Sequence, residues 1–284
     1  MYPPVRERVE RVLPHGTGDV LRQLSLFVLA YAGYAVARAV VEMRGRVPFA
    51  DATRIIDMER SLHVFVEPAV QRWVTGHAHW LLVICDWTYL NAHFLVTTAA
   101  LIFIYLRRND AFCYVRNMFV VAMLIALIGY AVYPTAPPWL MPQWGFTNSI
   151  GQFTGIDAQR GIPSLLVNPY AAIPSMHVCI ALLTGLPMSR LVRSRAVAAA
   201  WALYPLFIVF VVIVTANHYL TDVVLGVLTA AVSGLLAGKL LARARPEVWG
   251  FGLGAGLMTA SASRGSHPPA GRTSRNFLNI ASSE

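Results

Sequence analysis

The chain has 284 residues, 56% of them hydrophobic and 13% charged, with a net charge of +9. Soluble domains carry roughly 25% charged residues, so the composition sets aside an ordinary soluble domain and favours an integral membrane protein. The positive charge is nearly all arginine, Lys239 being the only lysine, and it lies in short groups between apolar runs, the pattern of topology signals rather than of a nucleic-acid surface. Residues 1–19 are polar and basic, with Arg6, Arg8 and Arg11, and are expected to form a cytoplasmic tail. The first long apolar run, about Leu21–Val41, can cross about 30 Å of hydrocarbon. It is too long for a cleavable signal and lacks a clear small-residue cleavage site. From Asp51 to about Val74, Ile55, Met58, Leu62, Phe65, Ala69 and Trp73 recur at helical spacing, with Arg54, Asp57, Arg60, Glu67 and Arg72 between them. This predicts an amphipathic helix on the membrane surface or against the bundle, interrupted near Pro68. Further spans are predicted at about Trp80–Leu106, Phe112–Tyr133, Ser175–Val192, Val197–Thr215 and Tyr219–Leu241, with a long polar, proline-bearing loop at Pro134–Ile173. The segment after Arg245 is rich in Gly, Ser, Pro and Arg and reads as disordered. Its spaced glycines, Gly250 to Gly256, follow no strand, which argues against a nucleotide loop.

The expected architecture is therefore an all-α, six-span helical bundle over residues 20–245, with an interfacial helix at about 51–74, a catalytic outer loop at 134–173 and tails at 1–19 and 246–284. Arginine placement orients it. Groups before the first span (Arg6, Arg8, Arg11, Arg22), between the second and third (Arg107, Arg108, Arg116), between the fourth and fifth (Arg190, Arg193, Arg195) and after the sixth (Lys239, Arg243, Arg245) share one side if both termini are cytoplasmic. The long loop then faces outward. Cys85, Cys113 and Cys179 all lie in apolar stretches without ligand spacing and read as buried thiols.

Two histidines open two of the spans. Pro174-Ser175-Met176-His177 begins the fourth, and Asn217-His218-Tyr219-Leu220-Thr221-Asp222 begins the sixth. Ionisable groups in or at the ends of spans are costly and rare, so their pairing at the outer mouths points to function. His218 and Asp222 are four apart, on one helical face, where a carboxylate can accept the Nδ1–H and orient the ring. A helix start at Ser175 offers backbone N–H groups and partial positive charge suited to phosphate, and the Ser175 hydroxyl could add a donor. His218 is then a nucleophile through Nε2, with His177 opposite it as acid and base.

The order Pro-Ser-Met-His, one helical hairpin, then His-x-x-x-Asp resembles the type 2 phosphatidic acid phosphatase superfamily. Within it, Tyr133-Pro-Thr-Ala-Pro-Pro138, Asn168-Pro-Tyr-Ala-Ala-Ile-Pro-Ser-Met-His177 and Thr215-Ala-Asn-His-Tyr-Leu-Thr-Asp222 are similar to the inositol phosphorylceramide synthase branch, in its bacterial multispan form. The resemblance covers roughly Asp51–Leu241. It implies a phosphorylated histidine at His218, an orienting Asp222 and an acid at His177, with Pro137, Trp139 and Asn217 near the substrate. The superfamily also implies a Lys and an Arg before the Pro-Ser motif and an Arg six residues before the nucleophile. The last position is Val212 here, and Trp139 follows the Pro-Pro pair where the synthase branch commonly has Arg. Arg116 lies about 17 residues from the outer end of its span, or about 25 Å at 1.5 Å per residue. Arg160 in the outer loop is the better phosphate ligand, with Arg54 and Arg60 behind it.

Plainer readings accompany these. Either histidine alone also suits a polar group satisfied at a span end, and Asp222 suits the positive end of a helix dipole. His93, with Tyr89 and Asn91, reads as a hydrogen-bonded interior histidine. Trp139, Trp144 and Tyr170 read as interface anchors or as a lining for a lipid head group, and Gly234-x-x-x-Gly238 as a site of close helix packing. The function expected is a plasma-membrane phosphotransferase or phosphatase acting on lipid phosphate esters. A non-enzymatic lipid transporter is the rival, which the paired histidines disfavour. No metal, cofactor or nucleic acid is expected, and the partners are lipid substrates and the bilayer.

Overall fold

A computed structural model describes Leu13 and residues 16–42, 47–155 and 170–241. The expected tails, and Arg160 with its flanking loop, lie largely outside the described residues. The chain forms α1 (Gly16–Glu42), α2 (Val47–Ser61), α3 (Glu67–His77), α4 (His79–Trp87), α5 (His93–Arg107), α6 (Asn109–Val132), α7 (Ser149–Thr154), α8 (Met176–Leu191), α9 (Arg195–Val214) and α10 (Leu220–Leu235). A π-helical turn, Thr88–Ala92, joins α4 to α5 without a break, and a second, Leu236–Leu241, extends α10. No β-strand occurs among the described residues; Thr135 and Ala171 form an isolated bridge across the base of the outer loop.

Among the described residues, four helical stretches are long and apolar enough to cross a membrane: His79–Arg107, Asn109–Val132, Arg195–Val214 and Leu220–Gly238. Their outward faces carry large exposed apolar side chains, among them Leu95, Ile102, Leu124, Ile128, Leu203, Leu206, Val224 and Leu228. Apolar exposure on that scale suits hydrocarbon rather than water. The fifth apolar helix, α8, has 16 residues and is central, packing most extensively on α9 and also against α5, α6 and α10. Its inner face joins Cys179, Leu183 and Leu191 to Ile104, Val115, Met118 and Ala230 in one core.

The amphipathic stretch from Asp51 to Val74 folds as two helices. α2 stops at Ser61, the chain reverses at His63 (φ +58°), and α3 starts at Glu67. Pro68 stands in the first turn of α3, where its missing N–H is no loss. Ala52, Ile55 and Ile56 of α2 pack with Ala136, Met141, Phe146 and Tyr219, so the expected interfacial segment forms part of a core against the outer loop. Trp139, Trp144 and Tyr170 join the edge of that core. Near Gly234, Tyr114 of α6 donates its hydroxyl to the Gly234 carbonyl at 3.1 Å, a close α6–α10 contact. Arg116 is buried inside α6 and bound to Gln23 and Asn117, committed to packing α1 on α6.

Candidate active site

The Ile173–Ser175 segment is pinched between two helices. A Cβ at Gly129 of α6 would lie 2.9 Å from the Ile173 carbonyl oxygen, and one at Gly226 of α10 would lie 2.5 Å from that of Ser175. Only glycine permits either approach. The Ser175 N–H donates to the Asp222 carbonyl at 3.0 Å, which ties the start of α8 directly to the start of α10. Ser175 is fully buried, and its Oγ has no partner. His177 follows in the first turn of α8.

The second histidine sits in the turn between α9 and α10, and that turn is built from its own polar groups. Asn217 and His218 both donate their N–H to the Val212 carbonyl, at 3.0 and 3.3 Å. Asn217 donates its side-chain amide to the Thr215 carbonyl and Oγ1, at 3.1 and 2.8 Å. Ala216 adopts a left-handed backbone (φ +54°), and its carbonyl accepts the Trp139 N–H at 2.9 Å. The Tyr219 hydroxyl donates to the Ala136 carbonyl at 3.2 Å. Pro137 is buried between those two contacts. Of the residues expected near substrate, Asn217, Trp139 and Pro137 are thus engaged in shaping the turn and seating the outer loop on it.

Asp222 is fully buried at the N-terminus of α10. Its Oδ2 accepts the Tyr219 N–H at 3.0 Å and lies 3.2 Å from Nδ1 of His218. With the carboxylate accepting, the hydrogen sits on Nδ1 and the Nε2 lone pair is available. The rings of His218 and His177 lie 5.9 Å apart, so the two helix starts bring both histidines and Asp222 together.

Further residues close around His177. Tyr89 stacks on its ring at 4.2 Å, His93 lies 5.1 Å away and Phe94 meets it edge-on at 5.7 Å. His93 is buried, bonded through Nδ1 to the Tyr204 hydroxyl at 2.8 Å, with Nε2 unpartnered. It is both a hydrogen-bonded interior group and a neighbour of His177. The π turn places Tyr89 and His93 on one side, and such turns recur at functional sites. The sequence pairs Tyr89 and His93 four apart but gives no sign that they meet a residue more than eighty positions later.

Glu59 and Glu67 are a second addition. Both are buried, and both accept N–H groups from the first turn of α10. On the sequence Glu67 belongs to the polar face of the amphipathic stretch, and Glu59 has no distinguishing mark. Among the fallback cations, Arg54 pairs with Asp51 at 2.6 Å, and Arg60 lies over the Trp144 ring at 5.2 Å.

The chain belongs to the PAP2 superfamily, whose family model matches residues 53–236, from within α2 to just past the end of α10. All the site residues described here fall inside that match. The phosphoinositol dihydroceramide synthase of Bacteroides thetaiotaomicron is 27% identical over 136 residues, covering 42% of this chain and 43% of the relative. The chain thus spans less than half the length of the curated relative it matches. No solved structure matches the chain.

Proposed function

We propose that the protein is a phosphotransferase that moves a phosphate-bearing head group between membrane lipids through a phosphohistidine on His218. The observation that carries this is the buried Asp222–His218 contact at 3.2 Å with His177 opposite, ring centres 5.9 Å apart. Nε2 of His218 attacks phosphorus, and the bond to the departing oxygen breaks as His177 gives that oxygen a proton. An acceptor hydroxyl then gives its proton to His177 and attacks phosphorus, and the P–N bond breaks, returning its electron pair to Nε2. Asp222 holds the Nδ1–H throughout. Ser175, with its unpartnered Oγ beside His177, binds a phosphate oxygen. Arg160, in the loop leading to Pro174, supplies charge.

The head group is of the phosphoinositol type and the acceptor a lipid alcohol. The similarity to the synthase from Bacteroides thetaiotaomicron supports this reading. With water as acceptor the same steps become hydrolysis, so exclusion of water from the site decides between the two. In the bilayer, α1, the α4–α5 rod, α6, α8, α9 and α10 make six spans of a domain over residues 20–245. Both tails are cytoplasmic, α2 and α3 lie at the outer interface, and the site faces outward across a bacterial plasma membrane. The arginine distribution supports this orientation. Mass spectrometry of lipids made by purified protein from an isotope-labelled phospholipid, with and without an alcohol-bearing lipid acceptor, tests the function. Transfer predicts a labelled acceptor lipid; labelled free head-group phosphate alone assigns the protein to hydrolysis, and no labelled product removes both.

A further inference from the structure

We propose that Glu59 and Glu67 are positioning residues: a carboxyl–carboxylate pair that shares one proton, holds the first turn of α10 and so sets the alignment of Asp222 and His218. Leu220 donates its N–H to Oε1 of Glu67 at 2.7 Å. Thr221 donates its N–H and its hydroxyl to Oε1 of Glu59 at 2.7 and 2.6 Å. With Tyr219 bonded to Asp222 at 3.0 Å, three consecutive amides at one helix start each meet a carboxyl group. An ordinary helix start uses one capping side chain there.

The charge balance is the unusual part. A helix N-terminus supplies about half a unit of positive charge, too little for three buried carboxylates. Among the described residues, neither glutamate has a salt-bridge partner. Among the described residues, the titratable groups that act on the pair are Asp222 and Tyr219 of the α10 start, and neither is cationic. Buried charges without partners are expensive, so one carboxyl keeps its proton. Each glutamate buries an Oε2 that has no hydrogen-bond partner, and the two carboxyls are near enough for each to act on the other's proton. One proton between them satisfies both orphan atoms. Burial first, then the hydrogen bond and charge of Glu67, pushes Glu59 up to about 8. Above that pH two like charges face each other beneath α10, and the clamp on Leu220 and Thr221 loosens. The pair also ties α2 and α3 to the nucleophile turn, which links the outer helices to the chemistry.

The consequence for catalysis rests on the reading of His218 as nucleophile, so the test has one arm that needs no substrate. Hydrogen–deuterium exchange of the peptide around Tyr219–Val223 is followed across pH in the full-length protein in lipid nanodiscs, corrected for intrinsic exchange. Wild type should lose protection as pH passes about 8, the value to which Glu59 is raised. E59Q should keep it, because a Gln carbonyl accepts from Thr221 and its amide donates to Glu67 as the protonated acid does. E59A should be unprotected throughout. In the second arm, turnover of phosphatidic acid and phosphatidylinositol in vesicles is measured. Wild type should show an alkaline limb near that pH, E59Q should move it up by about a unit or more, and E59A should lose about ten-fold at pH 7. Early exchange in E59Q at pH 7, or an exchange rise at the wild-type pH, overturns the proposal. An unmoved alkaline limb in E59Q overturns its catalytic half. Should E59A fail to fold, the comparison of E59Q with wild type decides alone. If wild type turns over neither lipid, the lipid-phosphate reading fails and the exchange arm still judges the clamp.

Discussion

At the scale of single residues, His218 and His177 stand in different surroundings, and their substitutions should separate accordingly. His218 has a buried carboxylate on Nδ1; His177 is boxed by Tyr89, His93 and Phe94 and has an unpartnered Nε2. His218→Ala should abolish turnover and the trapping of an acid-labile phosphoenzyme; a phosphoenzyme that persists in this variant refutes the assignment. His177→Ala should slow substrates with poor leaving groups far more than those with good ones, since the latter need no proton. Equal losses on a leaving-group series would remove its role as acid. The arginines divide as well. Arg116 is buried and bonded to Gln23 and Asn117, so Arg116→Ala should cost stability, about 1–3 kcal/mol for the polar groups left unpaired. Arg160→Ala should instead leave the melting temperature unchanged and raise the barrier by about 2.7–4 kcal/mol, as loss of a charge-stabilising contact does. A near wild-type rate for Arg160→Ala moves attention to Arg54 and Arg60.

At the scale of elements, the site is a junction of helix starts. α8 and α10 meet where Gly226 passes beneath Ser175, and α2 and α3 each send one glutamate to the first turn of α10. The raised Glu59 carboxyl makes this junction sensitive to pH. An acid raised from 4.5 to about 8 binds its proton more tightly in the folded state. Its contribution to stability is fully present below about 4.5 and is lost as pH climbs to about 8. Thermal unfolding of the wild type should therefore show a melting temperature that declines across this window. E59Q, which cannot titrate, should flatten the decline; an unchanged slope would place the titration elsewhere.

For the whole molecule, the orientation proposed above sets the outer loop and the Ser149–Thr154 helix outside and the α8–α9 turn inside. A cysteine introduced at Asn148 should react with impermeant reagents added to intact cells, and one at Ser194 should react only after permeabilisation. The reverse pattern would put the chemistry on the cytoplasmic side and change the lipid pool it meets. Asn148 is part-buried and caps α7 by accepting the Gly151 N–H at 2.8 Å, so the cysteine costs that one cap, about 1 kcal/mol.

The sequence by itself determined the apolar helical character, four of the membrane-length runs and the two histidine motifs. Hydropathy and i,i+4 spacing are local properties, and Asp222 lies one turn from His218. Local pattern also marked the break near Pro68. Only tertiary structure decided what surrounds these motifs. Nothing local tells that α2 and α3 turn Glu59 and Glu67 inward, because an acid on an amphipathic helix is equally suited to water. Likewise, Tyr89 stacking on His177 and Arg116 serving α1 follow from which helices meet. Contacts between residues far apart in the chain depend on packing, where burial turns an ordinary polar side chain into one that must find a partner.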